Sequence, residues 1–160
     1  MYAFYADTKG NKSEGIMKIA PNFKKTYPKM SVWIETNMSK VKSKPSVWAA
    51  FIKYSELNQS KALLALTSGQ PPEIHFDVMA GSNGRFSGTR FPDRVYLAKS
   101  ICDKFENADA NNIHMHILVE STLLHEIVHW GDWKDGVDQI GEEGKEFEQA
   151  AYGRDISRYW

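Results

Sequence analysis

The feature that most constrains this fold is a long apolar segment at residues 114–130. Its hydrophobic residues recur at helical spacing and form a wide face that must be buried. They are Ile117, Leu118, Leu123, Leu124, Ile127 and Val128. The segment therefore predicts a helix packed on the core, which we expect Gly131 and Gly136 to interrupt because glycine disfavours helix interiors.

The other segments predict an α+β fold that is mainly helical with a small mixed sheet. Pro28 suits the first turn of a helix that runs to Val41, and Ser46 suits the cap of a second helix. This second helix carries apolar residues to Leu57 and continues or restarts to Leu66. Further helices are expected at 100–105 and 142–152, strands at 74–78 and 95–97, a turn at 81–84, and an edge strand or loop at 85–91.

The chain of 160 residues, 42% of them hydrophobic, predicts a single domain over residues 1–160. Residues 1–20 show no clear period, and we expect a loosely ordered tail or a short docked element there. Twenty basic and 20 acidic residues balance, which disfavours nucleic acid as a partner. The single cysteine cannot form an internal disulfide, and no apolar run is long enough to predict membrane insertion.

A pattern with metal-binding chemistry lies in the long helix, in the segment His125-Glu126-Ile127-Val128-His129. Residues four apart on a helix point the same way, so His125 and His129 can chelate one ion. Zinc accepts imidazole nitrogen, and a catalytic site keeps a position for water. Glu126 would then act as general base on that water.

Two isolated histidines on a helix usually cap or hydrogen-bond a neighbouring element. The glutamate between them favours the catalytic interpretation here.

A third protein ligand for the zinc is expected from the acids downstream. Glu148 follows His129 at a spacing typical of gluzincin peptidases and is our predicted ligand. Asp135 is the rival, because metzincins place their third ligand six residues after the second histidine. The metzincin pattern also requires glycine where this chain has Asp132. Three more acids remain as alternatives: Glu142, Glu143 and Glu146.

Two further interpretations concern residues near the predicted zinc. Tyr152 lies one turn after Glu148, so its hydroxyl is a candidate catalytic group that hydrogen-bonds the oxyanion. Asp132 and Asp135 are candidates to orient the zinc histidines, unless they are ordinary loop acids. The remaining titratable side chains with metal-binding or nucleophilic chemistry are predicted to be structural: His75, His114, His116 and Cys102.

The stretch 124–132, together with Asp135-Gly136 and residues 144–153, resembles bacterial metallopeptidase toxin domains. The resemblance covers the chain from about residue 100 to the C-terminus and is absent over residues 1–70. It implies a zincin-like fold with His125 and His129 as zinc ligands, Glu126 as catalytic acid and base, and Glu148 as third ligand. It also implies that the edge strand along the cleft binds an extended protein or peptide substrate, and residues 81–89 are the candidate rim.

Such domains lie at the C-termini of polymorphic toxins and of type VI secretion effectors, commonly with a cognate immunity protein. The N-terminus lacks the features of a secretory signal, so we expect delivery into a target cell as part of a larger effector, with the periplasm as a candidate compartment. The sequence thus predicts a zinc-dependent endopeptidase that acts as an antibacterial effector domain. Two other functions remain open. One is a binding module with structural zinc, and the other is a zinc amidase acting on cell-wall peptides.

Overall fold

Residues 16–136 and 142–160 are described by the computed structural model. The helices and strands confirm a mainly helical α+β fold with a small mixed sheet. In chain order they are α1 Pro21–Thr26, α2 Pro28–Asn37, a 3₁₀ helix Met38–Ser43, α3 Pro45–Ser55, α4 Gln59–Thr67, β1 Glu73–Asp77, β2 Gly84–Phe86, β3 Arg94–Ala98, α5 Lys99–Lys104, a π-helical turn Phe105–Asp109, α6 Ile113–Lys134 and α7 Glu143–Tyr152.

The sheet has three strands in the order β1-β3-β2. Strand β3 is central and almost fully buried, with β1 parallel to it and β2 antiparallel. The short strand β2 therefore forms one edge of the sheet, which confirms an edge strand within the segment predicted as edge strand or loop. Val78, predicted within the first strand, lies just beyond its end.

The long helix α6 runs through Gly131 and ends at Lys134, so the expected interruption at Gly131 is wrong. A Cβ on Gly131 would lie 2.6 Å from the carbonyl oxygen of Ser55, which shows that α6 packs closely against the end of α3. Close packing therefore explains this glycine. Gly136 does follow the helix end, with a φ of 78° that suits glycine.

Proline starts each of the helices α1, α2 and α3, because its missing N–H costs nothing in a first turn. The predicted cap at Ser46 is wrong: α3 begins at Pro45, with Lys44 in the cap position. The chain then restarts as α4, where the Asn58 side chain accepts a hydrogen bond of 2.8 Å from the Lys61 amide.

Residues 16–20 dock on the sheet, which is one of the two alternatives expected for this segment. Met17, Ile19 and Ala20 are buried, and Ile19 forms a parallel bridge to Ile74 of β1. This part of the expected tail is a short docked element, whereas residues 1–15 lie outside the described residues. Helix α1 follows directly and was not predicted, because this short helix buries only Phe23.

Helix α6 lies at the centre of the fold and contacts α3, α7, β2 and β3. Most of its apolar side chains are buried, and its polar residues 125, 126 and 129 lie where α7 and the edge strand meet it. Within residues 16–136 and 142–160, no helix has the length and apolarity needed to cross a bilayer.

Candidate metal centre

His125 and His129 lie on successive turns of α6, with ring centroids 5.1 Å apart. Both rings are partly buried, so they face a cleft and not bulk solvent. This neighbouring arrangement is a direct consequence of the four-residue spacing on a helix.

Glu142, just before α7, brings a carboxylate to both histidines. Its Oε1 lies 3.0 Å from His129 Nε2 and 3.6 Å from His125 Nε2. Ligands at roughly 2.0–2.1 Å from a tetrahedral zinc are separated from one another by roughly 3.4 Å. The three donors lie within 4.8 Å of one another, so they fit a single small cation.

The opposite nitrogens of the two rings face other carboxylates of α7. His125 Nδ1 is hydrogen-bonded to Glu148 Oε2, and Glu143 Oε1 lies 3.6 Å from His129 Nδ1. Glu148 and Glu143 are buried. Imidazoles that bind a metal commonly donate their other N–H to a carboxylate, and here the Nε2 atoms are left to face Glu142.

Glu148 therefore lies beside the nitrogen of His125 that points away from Glu142. Its role as third ligand stays a prediction, and Glu142, one of the alternatives from the sequence, is the acid that faces both Nε2 atoms. Burial disfavours the charged form of His125, but the Glu148 hydrogen bond and the charges of Glu126 and Glu142 outweigh this effect and raise its pKa.

Gly144 is a site residue that sequence reasoning missed. A Cβ at this position would lie 2.2 Å from His125 Nε2, so the first turn of α7 covers the imidazole without leaving room for a side chain. The available signal was a glycine inside a predicted helix, where it is unfavourable unless close packing requires it.

Glu126 lies between α6 and the edge strand and is only 6% exposed. A Cβ on Gly84 would lie 2.9 Å from its Cγ, so β2 packs directly against the glutamate. Burial raises the pKa of Glu126 to about 7, an effect that the charge of His125 partly offsets. Its Oε2 is 4.0 Å from His125 Nε2, on the same side as Glu142.

Two adjoining cavities of about 540 and 390 Å³ form a cleft along this site. They share the four residues Gly84, His125, Glu126 and Glu142. Residues 81–86 and Gly88 line one wall, which includes most of the rim expected at 81–89. The larger cavity is also lined by Lys145 and by residues 156–158 beyond α7.

The structure does not bring the Tyr152 hydroxyl to this cleft. It donates a hydrogen bond of 2.8 Å to Glu120, which also pairs with Lys44. Within the described residues, Tyr152 lines neither of the two cavities. A hydroxyl that binds Glu120 is a poor candidate for oxyanion stabilisation, and that role has no geometric support.

Asp132 and Asp135 lie close together, and only Asp132 also lines the cleft. Asp132 is buried and lines the smaller cavity, and with Asp135 and Glu56 it forms a second acidic group beside the candidate metal centre. Three of the residues that the sequence predicted to be structural lie in structural surroundings. His116 stacks on Trp33, His75 pairs with Glu73, and burial raises the pKa of Cys102.

A family model described as Metallopeptidase toxin 3 matches residues 23–153, and the chain belongs to this family. The match runs from α1 to the end of α7, so it extends well beyond the C-terminal part that carries the sequence resemblance. It confirms that resemblance and identifies the class as metallopeptidase toxins. No curated protein and no solved structure matches the chain.

Proposed function

We propose that this chain is a zinc-dependent endopeptidase of the zincin type that acts as an antibacterial toxin domain. The observation that carries the proposal is the convergence of His125, His129 and Glu142 within 4.8 Å, beside the buried carboxyl of Glu126 in an open cleft. Family membership supports a metal-dependent peptidase. The choice of zinc, the protein substrate and the antibacterial role belong to the proposal.

The donor set fits zinc. Two imidazole nitrogens and one carboxylate oxygen are a ligand set of catalytic zinc sites, which keep one further position for water or substrate. Zinc, when bound, supplies Lewis-acid chemistry that polarises the scissile carbonyl. Gly144 leaves the space in front of His125 Nε2 free of a side chain, as a bound ion requires.

Glu126 is the residue that moves the proton. Its carboxylate accepts a proton from the attacking water as the oxygen–carbon bond forms, and delivers it to the amide nitrogen as the carbon–nitrogen bond breaks. The enclosed position between α6 and β2 excludes most solvent from the carboxyl, since only 6% of Glu126 is exposed. Water is consumed, and two peptide products leave.

Strand β2 is suited to hold an extended substrate. One side of β2 pairs with β3, and the strand is the last in the sheet, next to Glu126. A peptide that adds to such an edge is held by main-chain hydrogen bonds, so its binding depends little on the identity of its side chains. This geometry supports a polypeptide as substrate.

The proposal is tested with Glu126→Gln, which keeps the size of the side chain and removes its basicity. We expect cleavage of an unfolded protein substrate to fall by about 10²–10⁴-fold, the usual contribution of a general base. Zinc content should stay that of the wild type. Equal activity of the two proteins, or cleavage of cell-wall peptides without cleavage of protein, would contradict the proposal.

Metal affinity decides between the two candidate third ligands. We propose Glu142 as the ligand and Glu148 as the carboxylate that orients His125. Glu142→Ala should then weaken zinc binding more than Glu148→Ala, for which the loss of an orienting partner predicts about 10–100-fold. Glu146→Ala, an exposed neighbour, is the control and should bind normally. The reverse order of affinities would make Glu148 the ligand.

The toxin role is tested by expression in a bacterial host. We expect the wild type to arrest growth and Glu126→Gln to be tolerated, and export to the periplasm compared with retention in the cytoplasm would show where the substrate is. Because an active peptidase endangers the cell that makes it, we also propose a cognate immunity protein and delivery as part of a larger effector. Growth arrest by Glu126→Gln would show that toxicity does not come from hydrolysis.

A further inference from the structure

The segment 154–160, here called the C-terminal strap, follows α7 and lies outside the residues matched by the family model, which end at 153. The strap contains no helix or strand, yet Ile156 is buried and Arg158 is half-buried. Residues 156–158 also line the larger cavity of the cleft. The strap is therefore part of the cleft wall.

The first contact of the strap reaches the candidate metal centre. The Ile156 amide N–H donates a hydrogen bond of 2.7 Å to Glu148 Oε1, while Glu148 Oε2 is hydrogen-bonded to His125 Nδ1. Both carboxylate oxygens are thus held, one by the strap and one by the imidazole. Because Glu148 is buried, the Ile156 amide restricts the orientation of the carboxylate, and the carboxylate restricts that of the ring.

The second contact reaches the opposite wall. Arg158 Nε donates to Asn83 Oδ1 at 3.0 Å, and Arg158 Nη2 donates to the Ser82 carbonyl at 2.9 Å. This loop leads into β2, and the Asn83 carbonyl accepts a hydrogen bond of 2.8 Å from the Ala98 amide at the end of β3. Arg158 therefore ties the strap to the loop that precedes the edge strand.

The end of the strap is anchored away from the cleft. The Tyr159 hydroxyl is hydrogen-bonded to Asp109, and its ring lies 6.0 Å from that of His114. Trp160 packs edge-on against Tyr159 at 4.9 Å. These contacts hold the segment on both sides of Arg158, so its two hydrogen bonds act between fixed elements.

We infer that the C-terminal strap positions two parts of the active site: the Ile156 amide orients His125 through Glu148, and Arg158 holds the loop at 82–83 that leads into the proposed substrate-binding strand β2. This inference rests on the proposed function. Ile156 and Arg158 touch neither the metal donors nor the reacting atoms directly. They are positioning residues. Ile156 acts on the affinity for zinc, and Arg158 acts on the binding of substrate.

Ile156→Pro removes the N–H that binds Glu148, and Ile156→Ala is the matched control because it keeps the N–H and loses only the side chain. Zinc affinity is measured by competition with a chromophoric chelator on full-length protein. We expect Ile156→Pro to bind zinc about tenfold more weakly than Ile156→Ala, at the lower end of losses for partners of metal ligands. Circular dichroism checks that both variants are folded.

Arg158→Ala is expected to raise KM for a peptide substrate and to leave kcat and zinc affinity near wild type, since it releases a binding loop and not the metal centre. Arg158→Lys should rescue only in part, because lysine cannot present two donors in a fixed fork. In the double variant with Asn83→Ala, the loss of substrate binding should be smaller than the sum of the two single losses, since both changes remove the same hydrogen bond.

The results separate this inference from the proposed function. A wild type that binds zinc and cleaves protein, with equal zinc affinity for Ile156→Pro and Ile156→Ala, overturns the link to His125. An unchanged KM in Arg158→Ala overturns the link to the loop. A wild type that binds no zinc overturns the proposed function and this inference with it.

Discussion

At the residue scale, the two histidines are organised by the carboxylates of α7 and of the residue before it. Glu142 faces both Nε2 atoms, and Glu148 and Glu143 lie by the two Nδ1 atoms. Spacing along the sequence predicted the histidine pair and Glu126 as candidates. It favoured Glu148 among the acids that follow but could not show which imidazole nitrogen each acid faces, because several of them share one short helix and differ only in where each points.

Gly144→Ala tests how tightly α7 covers His125. Alanine stabilises a helix interior by about 1 kcal/mol relative to glycine, and position 144 in the first turn of α7 gains at most that amount. Its methyl would nevertheless overlap His125 Nε2, which lies 2.2 Å from the ideal Cβ position. We expect zinc affinity to fall although helix propensity improves, as measured by chelator competition. Unchanged affinity would show that His125 does not bind zinc through this nitrogen, and Glu146→Ala serves as the folded control.

At the element scale, the helices with strong apolar periodicity were predicted. The errors fall where tertiary contacts determine whether a segment is helical or buried. Gly131 was expected to break α6 because glycine is unfavourable there, but the helix continues because it packs against the end of α3. Helix α1 was missed, and the docking of residues 16–20 was expected only as one of two alternatives. Both segments are short, and their burial depends on β1, which lies much later in the chain.

Gly131→Ala is expected to destabilise the protein. Its Cβ would lie 2.6 Å from the Ser55 carbonyl oxygen and 3.1 Å from Leu57 Cγ. Overpacking of this kind costs about 1–3 kcal/mol, which equals or exceeds the roughly 1 kcal/mol gained in helix propensity, and the contact to a backbone carbonyl favours the upper part of that range. Urea denaturation should show a lower midpoint with an unchanged slope. A higher midpoint would mean that α3 and α6 separate without strain.

Glu56→Gly is expected to stabilise the end of α3. Glu56 has a φ of 60° and a ψ of 15°. This left-handed conformation costs an L-residue about 1–2 kcal/mol and glycine nearly nothing. Thermal denaturation should therefore show a higher Tm. Glu56→Gln is the control, since it removes the charge and keeps the backbone cost.

Glu56 should also make the stability of the protein depend on pH. The hydrogen bond to Asp135, burial, and the charges of Asp135 and Asp132 raise the pKa of Glu56 to about 7. The folded state then holds this proton more tightly than the unfolded chain, so the contribution is complete below the unfolded pKa and is lost as pH rises through about 7. Relative to Glu56→Gln, the wild type should lose stability between the unfolded pKa of 4.5 and the folded pKa of about 7. A constant difference would contradict the shifted pKa.

At the scale of the whole molecule, the core does not depend on the metal centre. Buried aromatic residues from separate helices fill it, among them Phe23, Phe51, Phe105 and Phe147. The candidate ligands lie at the edge of this core, and Glu142 is half exposed. The fold should therefore persist without an ion, in contrast to a binding module whose zinc is structural.

Metal removal tests this contrast. Chelation should lower the Tm by mass action, with a loss of about 2.7–4.1 kcal/mol if zinc had been present at about 100–1,000 times its Kd. It should not unfold the chain. Cys102 reports this directly, because the thiol is fully buried and burial raises its pKa. Rapid thiol labelling of the chelated protein at room temperature would favour structural zinc.

By itself, the sequence determined the class of fold, the pairing of His125 with His129, and the place of Glu126 between them. These features depend on helical geometry over one short motif, which a local pattern specifies. Only the tertiary structure decided which carboxylate meets which nitrogen, because Glu142 and Glu148 reach the histidines across separations of 13 and 23 residues. Those contacts follow from how α7 and the strap dock on α6, and docking is set by packing of the whole core and not by spacing along the chain.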